Sequence, residues 1–119
     1  MKIAVDISEK EIEALTKEVV QNLPEYSQSF VINSWNYEKM IFKFTDYEGC
    51  THSGAHPIKY TLTKKKLIKG MKKYLKGIAE GKWPGNFKSL QDARDAGNWD
   101  ASAVDGLVQM AALGEIIYG

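Results

Sequence analysis

Cys50, His52 and His56 stand within seven residues, in the stretch CTHSGAH. Thiolate and imidazole are the usual ligands of zinc, so the stretch has the chemistry of a metal site. Three ligands in one loop lack a clear fourth, however, and the spacing matches no common zinc finger. Asp46 and Glu48 stand nearby but are generic loop residues. A Cys–His nucleophile pair would need a third residue to orient the imidazole, and none is identifiable. The reading adopted is a polar loop with two exposed or capping histidines and no metal.

The stretch TKKKLIKGMKKYLKGI, residues 63–78, sets Lys65, Lys66, Lys69, Lys72, Lys73 and Lys76 opposite an apolar stripe. Such a face suits phosphate, nucleic acid or an acidic protein, and equally suits water, because lysine forms helix well and solubilises. There is no helix-turn-helix pattern and almost no arginine, so no specific nucleic-acid partner is expected. Arg94 is the only arginine beside fifteen lysines. A planar, bidentate donor suits phosphate, carboxylate or a base face. The structural alternative is a pair with Asp92, Asp95 or a distant carboxylate. Phe87, Asn98 and Trp99 lie close to Arg94 in the chain, and an aromatic, an amide and a guanidinium are what a purine-nucleotide pocket needs. In that reading Phe87 or Trp99 stacks the purine, Asn98 meets a base or ribose edge, and Arg94 holds phosphate with Lys69 or Lys73. Dinucleotide fingerprint, Walker A, nucleophile-elbow and HExxH motifs are all missing, and no carboxylate pair stands at catalytic spacing. Binding without catalysis, and without a cofactor, is therefore the expectation.

The elements that must position these residues follow from periodicity. KIAVDI alternates as a strand over residues 2–7. Ser8 and Glu11 form a capping-box pattern, Ile12, Leu15, Val19 and Leu23 follow at helical spacing, and Pro24 stops the helix. SFVINSWNY and KMIFKFTDY predict a hairpin turning through Asn36–Lys39, with Met40, Phe42 and Phe44 on one face. IKYTL adds a third strand. Thr63 caps the lysine helix, whose apolar face is Leu67, Ile68, Met71, Tyr74, Leu75 and Ile78; Gly70 and Gly77 within it mark close packing. Trp83 and Phe87 give the KWPGNF loop an ordered character. Ser89 starts a short helix closed by Gly97, Asp100 caps the last helix, and GEIIYG forms a final short strand. The fold expected is α+β: a small antiparallel sheet packed with about three helices, one domain over 1–119.

On the last helix Val104, Leu107, Val108 and Ala111 make one apolar face, and Ala103, Gly106, Met110 and Leu113 make a second. Only Ser102, Asp105 and Gln109 form a polar stripe. Such a helix is buried on most of its circumference. It is either central to the monomer or seated at a homo-oligomer interface through residues such as Val104, Leu107, Val108 and Met110. Symmetric dimers, the commonest oligomers, keep the second reading open.

With 119 residues and one cysteine, the chain can bury a core and cannot form an internal disulfide. No apolar run approaches the roughly 20 residues of a membrane span, and the N-terminus lacks the apolar segment of a signal peptide. A cytoplasmic protein is expected. The net charge of +1 hides a division: residues 1–58 carry −4, residues 59–82 carry +8 and residues 83–119 carry −3. The basic block coincides with the lysine helix.

YTLTKKKLIKGMKKYLKGI followed by DASAVDGLVQMAALGEIIYG resembles small phage and prophage proteins. These share a strand–helix unit with an internal glycine and a C-terminal pattern met here by Asp100, Asp105, Gln109, Ala111, Gly114, Glu115, Ile116, Tyr118 and Gly119. FVINSWNY is similar to their Tyr/Trp-containing strand. Among them, the chain resembles the Thoeris anti-defence sponges. That resemblance implies a phage protein acting in the bacterial cytoplasm, oligomeric, which sequesters cyclic ADP-ribose isomers made by TIR-domain enzymes. Two other classes stay open: a protein–protein inhibitor of a host complex, in the manner of an anti-CRISPR, and an enzyme that degrades the signal using His52 or His56.

Overall fold

The computed structural model describes residues 7–21, 23, 30–46, 58–81, 87 and 89–114. The strand expected over 2–7, Pro24, the Cys50–His56 loop, Trp83 and the strand expected at the C-terminus lie outside the described residues.

Ser8 opens the first helix, α1 (Glu9–Val20), by accepting the Glu11 N–H at 3.1 Å. Only half of the capping box forms, because the Glu11 carboxylate goes to Arg94 instead of returning to Ser8. Ile12, Leu15 and Val19 are buried at the spacing expected of an amphipathic helix.

Three strands, β1 (Val31–Asn36), β2 (Ile41–Asp46) and β3 (Ile58–Leu62), make an antiparallel sheet in the order β1-β2-β3. Phe44 stands between Ile32 and Tyr60, and Phe42 between Trp35 and Leu62. Opposed residues share a face, so Phe42, Phe44 and Leu62 enter the core together. Asn33 is an extra residue in β1, where the register slips between Ile32 and Ser34. Its Oδ1 accepts the hydroxyl of the buried Thr45 at 2.6 Å. The hairpin turn falls one residue later than expected, at 37–40. Met40 closes it with φ of 52°, and its N–H donates to the Tyr37 carbonyl. A methionine occupies this left-handed position because its side chain, 1% exposed, is anchored in the core.

Thr63 alone separates β3 from α2 (Lys64–Ala79) and caps it through Oγ1. The expected helix over 89–97 is shorter. It is α3 (Leu90–Ala93), capped by Ser89, followed by a 3-10 turn (Ala96–Asn98). The break follows from Asp95, whose carboxylate accepts the Gly97 N–H at 2.9 Å and starts a new turn. Asp100 caps α4 (Ala101–Leu113), and Gly114 ends it in the left-handed conformation, φ 80°, with its N–H on the Met110 carbonyl. The architecture is α+β: among the described residues, the sheet, three longer helices and one short helix.

The most extensive helix contact joins α2 to α4. Gly70 makes it possible: a Cβ placed there would lie 2.8 Å from the Ala111 Cα. Every residue from Ala103 to Met110 is buried, so α4 is the central helix of the chain itself. Two expectations are corrected here. Val104, Leu107, Val108 and Met110 are at most 3% exposed within one chain and offer no surface to a second copy. Of the polar stripe, Asp105 and Gln109 do not reach the surface; both are buried, and the Gln109 amide donates to Asp105 at 2.9 Å. A buried polar pair is tolerated when it is hydrogen-bonded. Among the described residues, no helix is long and apolar enough to cross a membrane.

Candidate functional site

The strand-to-helix unit β3–Thr63–α2 carries the chain's basic block, and the packing of α2 divides that charge into two sides. Toward α1, Lys64 pairs with Glu13 at 2.5 Å and Lys72 with Glu9 at 2.7 Å. The crossed numbering shows that the helices run antiparallel. Lys64 also holds the Glu13 carboxyl below its ordinary pKa, through their hydrogen bond and their charges.

Toward β3 and α4 lie Lys66, Lys69 and Lys73, at positions i, i+3 and i+7 and so on one helix face. They border a pocket of about 270 Å³ at the junction of β3, α2 and the last turn of α4. Its walls include Leu62, Met110, Ala111 and Ala112, and Tyr60 stands at its sheet side. The Lys66 ammonium donates to the Thr61 carbonyl at 3.2 Å, and the Lys73 ammonium to the Gly114 carbonyl at 2.6 Å. Each bond uses one of three N–H donors. Two ammoniums are thus tethered in place with donors left over, and Lys69 stands between them along the helix. Among the described residues, no carboxylate forms an ion pair with these three lysines. Apolar walls with uncompensated ammoniums favour an anion, and most of all one with several acceptor oxygens.

Tyr60 is half-buried, and one face of its ring is stacked on Phe30, with centroids 5.5 Å apart and planes at 21°. Phe30 is itself buried against Phe44. Burial and the nearby Asp46 push the Tyr60 phenol above its ordinary pKa, so the ring is neutral at pH 7.

Of the residues expected to bind a ligand, Lys69 and Lys73 reach this pocket; the other four are used elsewhere. Phe87 and Trp99 do come together, with centroids 5.1 Å apart, but inside the core and with Tyr74 as third ring. They are 8% and 5% exposed, and the Trp99 indole donates to the Ala93 carbonyl at 2.8 Å. A base has no access to either ring face in this packing. The Asn98 amide donates to the Asp92 carbonyl. Arg94 pairs with Glu11 at 2.8 Å and ties the α3 turn to α1. That is the distant-carboxylate alternative considered from the sequence.

Tyr60 and Gly114 are not among the residues the sequence picks out for a ligand, and Lys66 stands there only as one of the six lysines of the basic face. Tyr60 and Lys66 flank Thr63 at three residues on either side. A strand running straight into a capped helix brings such positions together, and that was the available signal. Among the described residues, no cluster of His, Cys, Asp and Glu is placed to hold a metal ion. Comparison with protein-family models, curated proteins and solved structures finds no match to the chain.

Proposed function

We propose that this chain binds and sequesters a phosphate-bearing small molecule without changing it chemically. The observation that carries this reading is the convergence of Lys66, Lys69 and Lys73 on one pocket with no carboxylate among the described residues paired to them. Capture needs only matched charge and shape, so it asks for none of the catalytic motifs the sequence lacks. The resemblance narrows the ligand to a cyclic nucleotide immune signal, a cyclic ADP-ribose isomer, and the setting to a phage protein in a bacterial host. The pocket lies just under the range of roughly 300–1,000 Å³ typical of ligand sites. It therefore suits the phosphate-bearing part of such a ligand, with the remainder at its mouth.

Capture and release tests this directly. The purified protein is incubated with cyclic ADP-ribose isomers and cyclic oligonucleotides, desalted and heat-denatured, and the released material is identified by mass spectrometry. An intact phosphorylated ligand in near-stoichiometric amount is expected, and Lys69→Gln should abolish its retention while leaving the melting temperature unchanged. A chemically altered product would establish an enzyme instead. Retention of nothing would refute capture.

A further inference from the structure

Between the flank of α2 that meets α1 and the flank that borders the pocket, a row of four lysines runs along the helix. Lys65, Lys69, Lys72 and Lys76 stand at i, i+4, i+7 and i+11, and all four are exposed. That spacing keeps them in one line over a helical rise of about 16 Å. Neighbours in the line are like charges one turn apart, an arrangement that opposes the helix carrying it. Lys72 is relieved by Glu9, whereas among the described residues Lys65, Lys69 and Lys76 form no ion pair. Ile68, partly buried, lies beside the row, and a groove of about 590 Å³ runs over it, lined also by Lys64, Lys65, Lys69 and Lys72. Ile68 and the lysine stems give this groove an apolar floor beneath a charged rim.

We propose that this row docks an acidic α-helix of a partner protein, with carboxylates repeating every three or four residues and one apolar side chain set over Ile68. The neighbouring flank shows the mode of recognition. There α1, with four glutamates against two lysines, runs antiparallel to α2, and its Glu9 and Glu13, one turn apart, take Lys72 and Lys64. A second acidic helix meets Lys65, Lys69 and Lys76 in the same way and relieves the repulsion within the row. A bilayer fits less well, because a helix lying in a membrane surface needs a broad apolar face, and that of α2 is spent on the core. A single-stranded nucleic acid needs aromatic rings on which its bases stack, and among the described residues none lines this groove. Lys65 and Lys76 take no part in the anion pocket, so the docking surface and that pocket can be tested apart.

Fluorescence anisotropy at low ionic strength, where screening is weakest, provides the test. One probe is a labelled, alanine-based helical peptide whose glutamates repeat the spacing of the four lysines, with a leucine on the adjoining row. The other has the same composition with its glutamates spread around the helix. The native protein should bind the first roughly 3- to 100-fold more tightly, the range for about three exposed ion pairs, and that binding should weaken as salt rises. Lys65→Glu and Lys76→Glu together should abolish the preference while leaving the melting temperature, and whatever phosphate the native protein retains, unchanged. Equal binding of the two peptides, or binding of neither, would overturn the helix site without touching the anion pocket. Tighter binding to phosphatidylserine vesicles or to a mixed-sequence single-stranded oligonucleotide, lost in the same double variant, would also overturn it and give the row to lipid or nucleic acid. Because the native preference decides the matter, the outcome does not depend on how the double variant folds.

Discussion

Gly70→Ala should destabilise the fold, although alanine is the better helix former. Glycine costs about 1 kcal/mol relative to alanine inside a helix, so propensity alone predicts a gain. The contact with α4 opposes it. The new Cβ would lie 2.8 Å from the Ala111 Cα, 2.9 Å from its Cβ and 2.9 Å from its N. Carbon atoms rest at about 3.5–4.0 Å, so α4 must withdraw by roughly 0.7–1.2 Å. Two of the three contacts are backbone atoms, which no rotamer change relieves. Overpacking of this kind costs about 1–3 kcal/mol, and its upper part applies here because α2 and α4 share the most extensive helix contact. A net loss of about 1–2 kcal/mol is expected, a fall of roughly 4–8 °C in Tm for a domain this size. Thermal unfolding followed by circular dichroism at 222 nm measures it. Adding Ala111→Gly removes only the Cβ contact, so rescue should be partial. A Gly70→Ala protein as stable as the native one, or more so, would refute the close approach and with it the floor of the pocket.

Tyr74, 4% exposed and beside Asp100, has its pKa pushed up to about 12 by burial first and by the Asp100 charge second. The unfolded phenol ionises near pH 10, so this stability is intact below pH 10 and is lost as pH rises toward 12, by about 3 kcal/mol at most. Denaturant unfolding from pH 9 to 12 should show that loss, and Tyr74→Phe should flatten it; an equal slope in the variant would count against the assignment. Arg94→Ala should cost under about 1 kcal/mol, since the Arg94 and Glu11 side chains are 35% and 39% exposed and solvent screens the pair. It should also leave phosphate capture unchanged, and a loss of capture would move the site back toward α3. Trp99→Phe keeps a ring in the Tyr74–Phe87 cluster but leaves the Ala93 carbonyl without its 2.8 Å donor, so urea unfolding should show a loss of about 1–3 kcal/mol.

Periodicity made the elements legible where one face is buried against one neighbour. Leu67, Met71, Tyr74, Leu75 and Ile78 read as the core face of α2 and are that face. Met40, Phe42 and Phe44 read as the inner row of the hairpin and are buried. Caps were equally legible, because Ser8, Thr63, Ser89 and Asp100 act through atoms three residues away. What distance along the chain could not supply was the partner of each polar side chain. Arg94 lies 83 residues from Glu11, and Lys73 lies 41 from Gly114. Phe87 and Trp99 have the composition of a stacking site and the burial of a core, and composition does not separate the two. Asp105 and Gln109 look like a solvent stripe because carboxylate and amide are usually exposed; their mutual hydrogen bond allows the reverse.

Five residues of the C-terminal pattern, Asp100, Asp105, Gln109, Ala111 and Gly114, lie among the described residues, and their placement gives them a specific meaning. Asp100 caps α4, and Asp105 and Gln109 form the buried pair within it. Ala111 is small where Gly70 approaches, and Gly114 ends the helix and receives Lys73 through its carbonyl. Each of these acts on the packing or termination of α4. None of the five contributes an ammonium or an aromatic ring to the pocket; those come from α2 and β3. On the proposed reading, the described part of the tail serves the packing of α4, and the strand–helix unit holds the ligand. The two can vary separately: a protein with this tail but without lysines at the positions of Lys66, Lys69 and Lys73 should keep the α2–α4 packing and fail to retain phosphate. Replacing these three lysines together with glutamine in this chain is the direct form of that experiment. An unchanged Tm with lost retention would separate scaffold from site, whereas retained phosphate would mean that the tail itself binds.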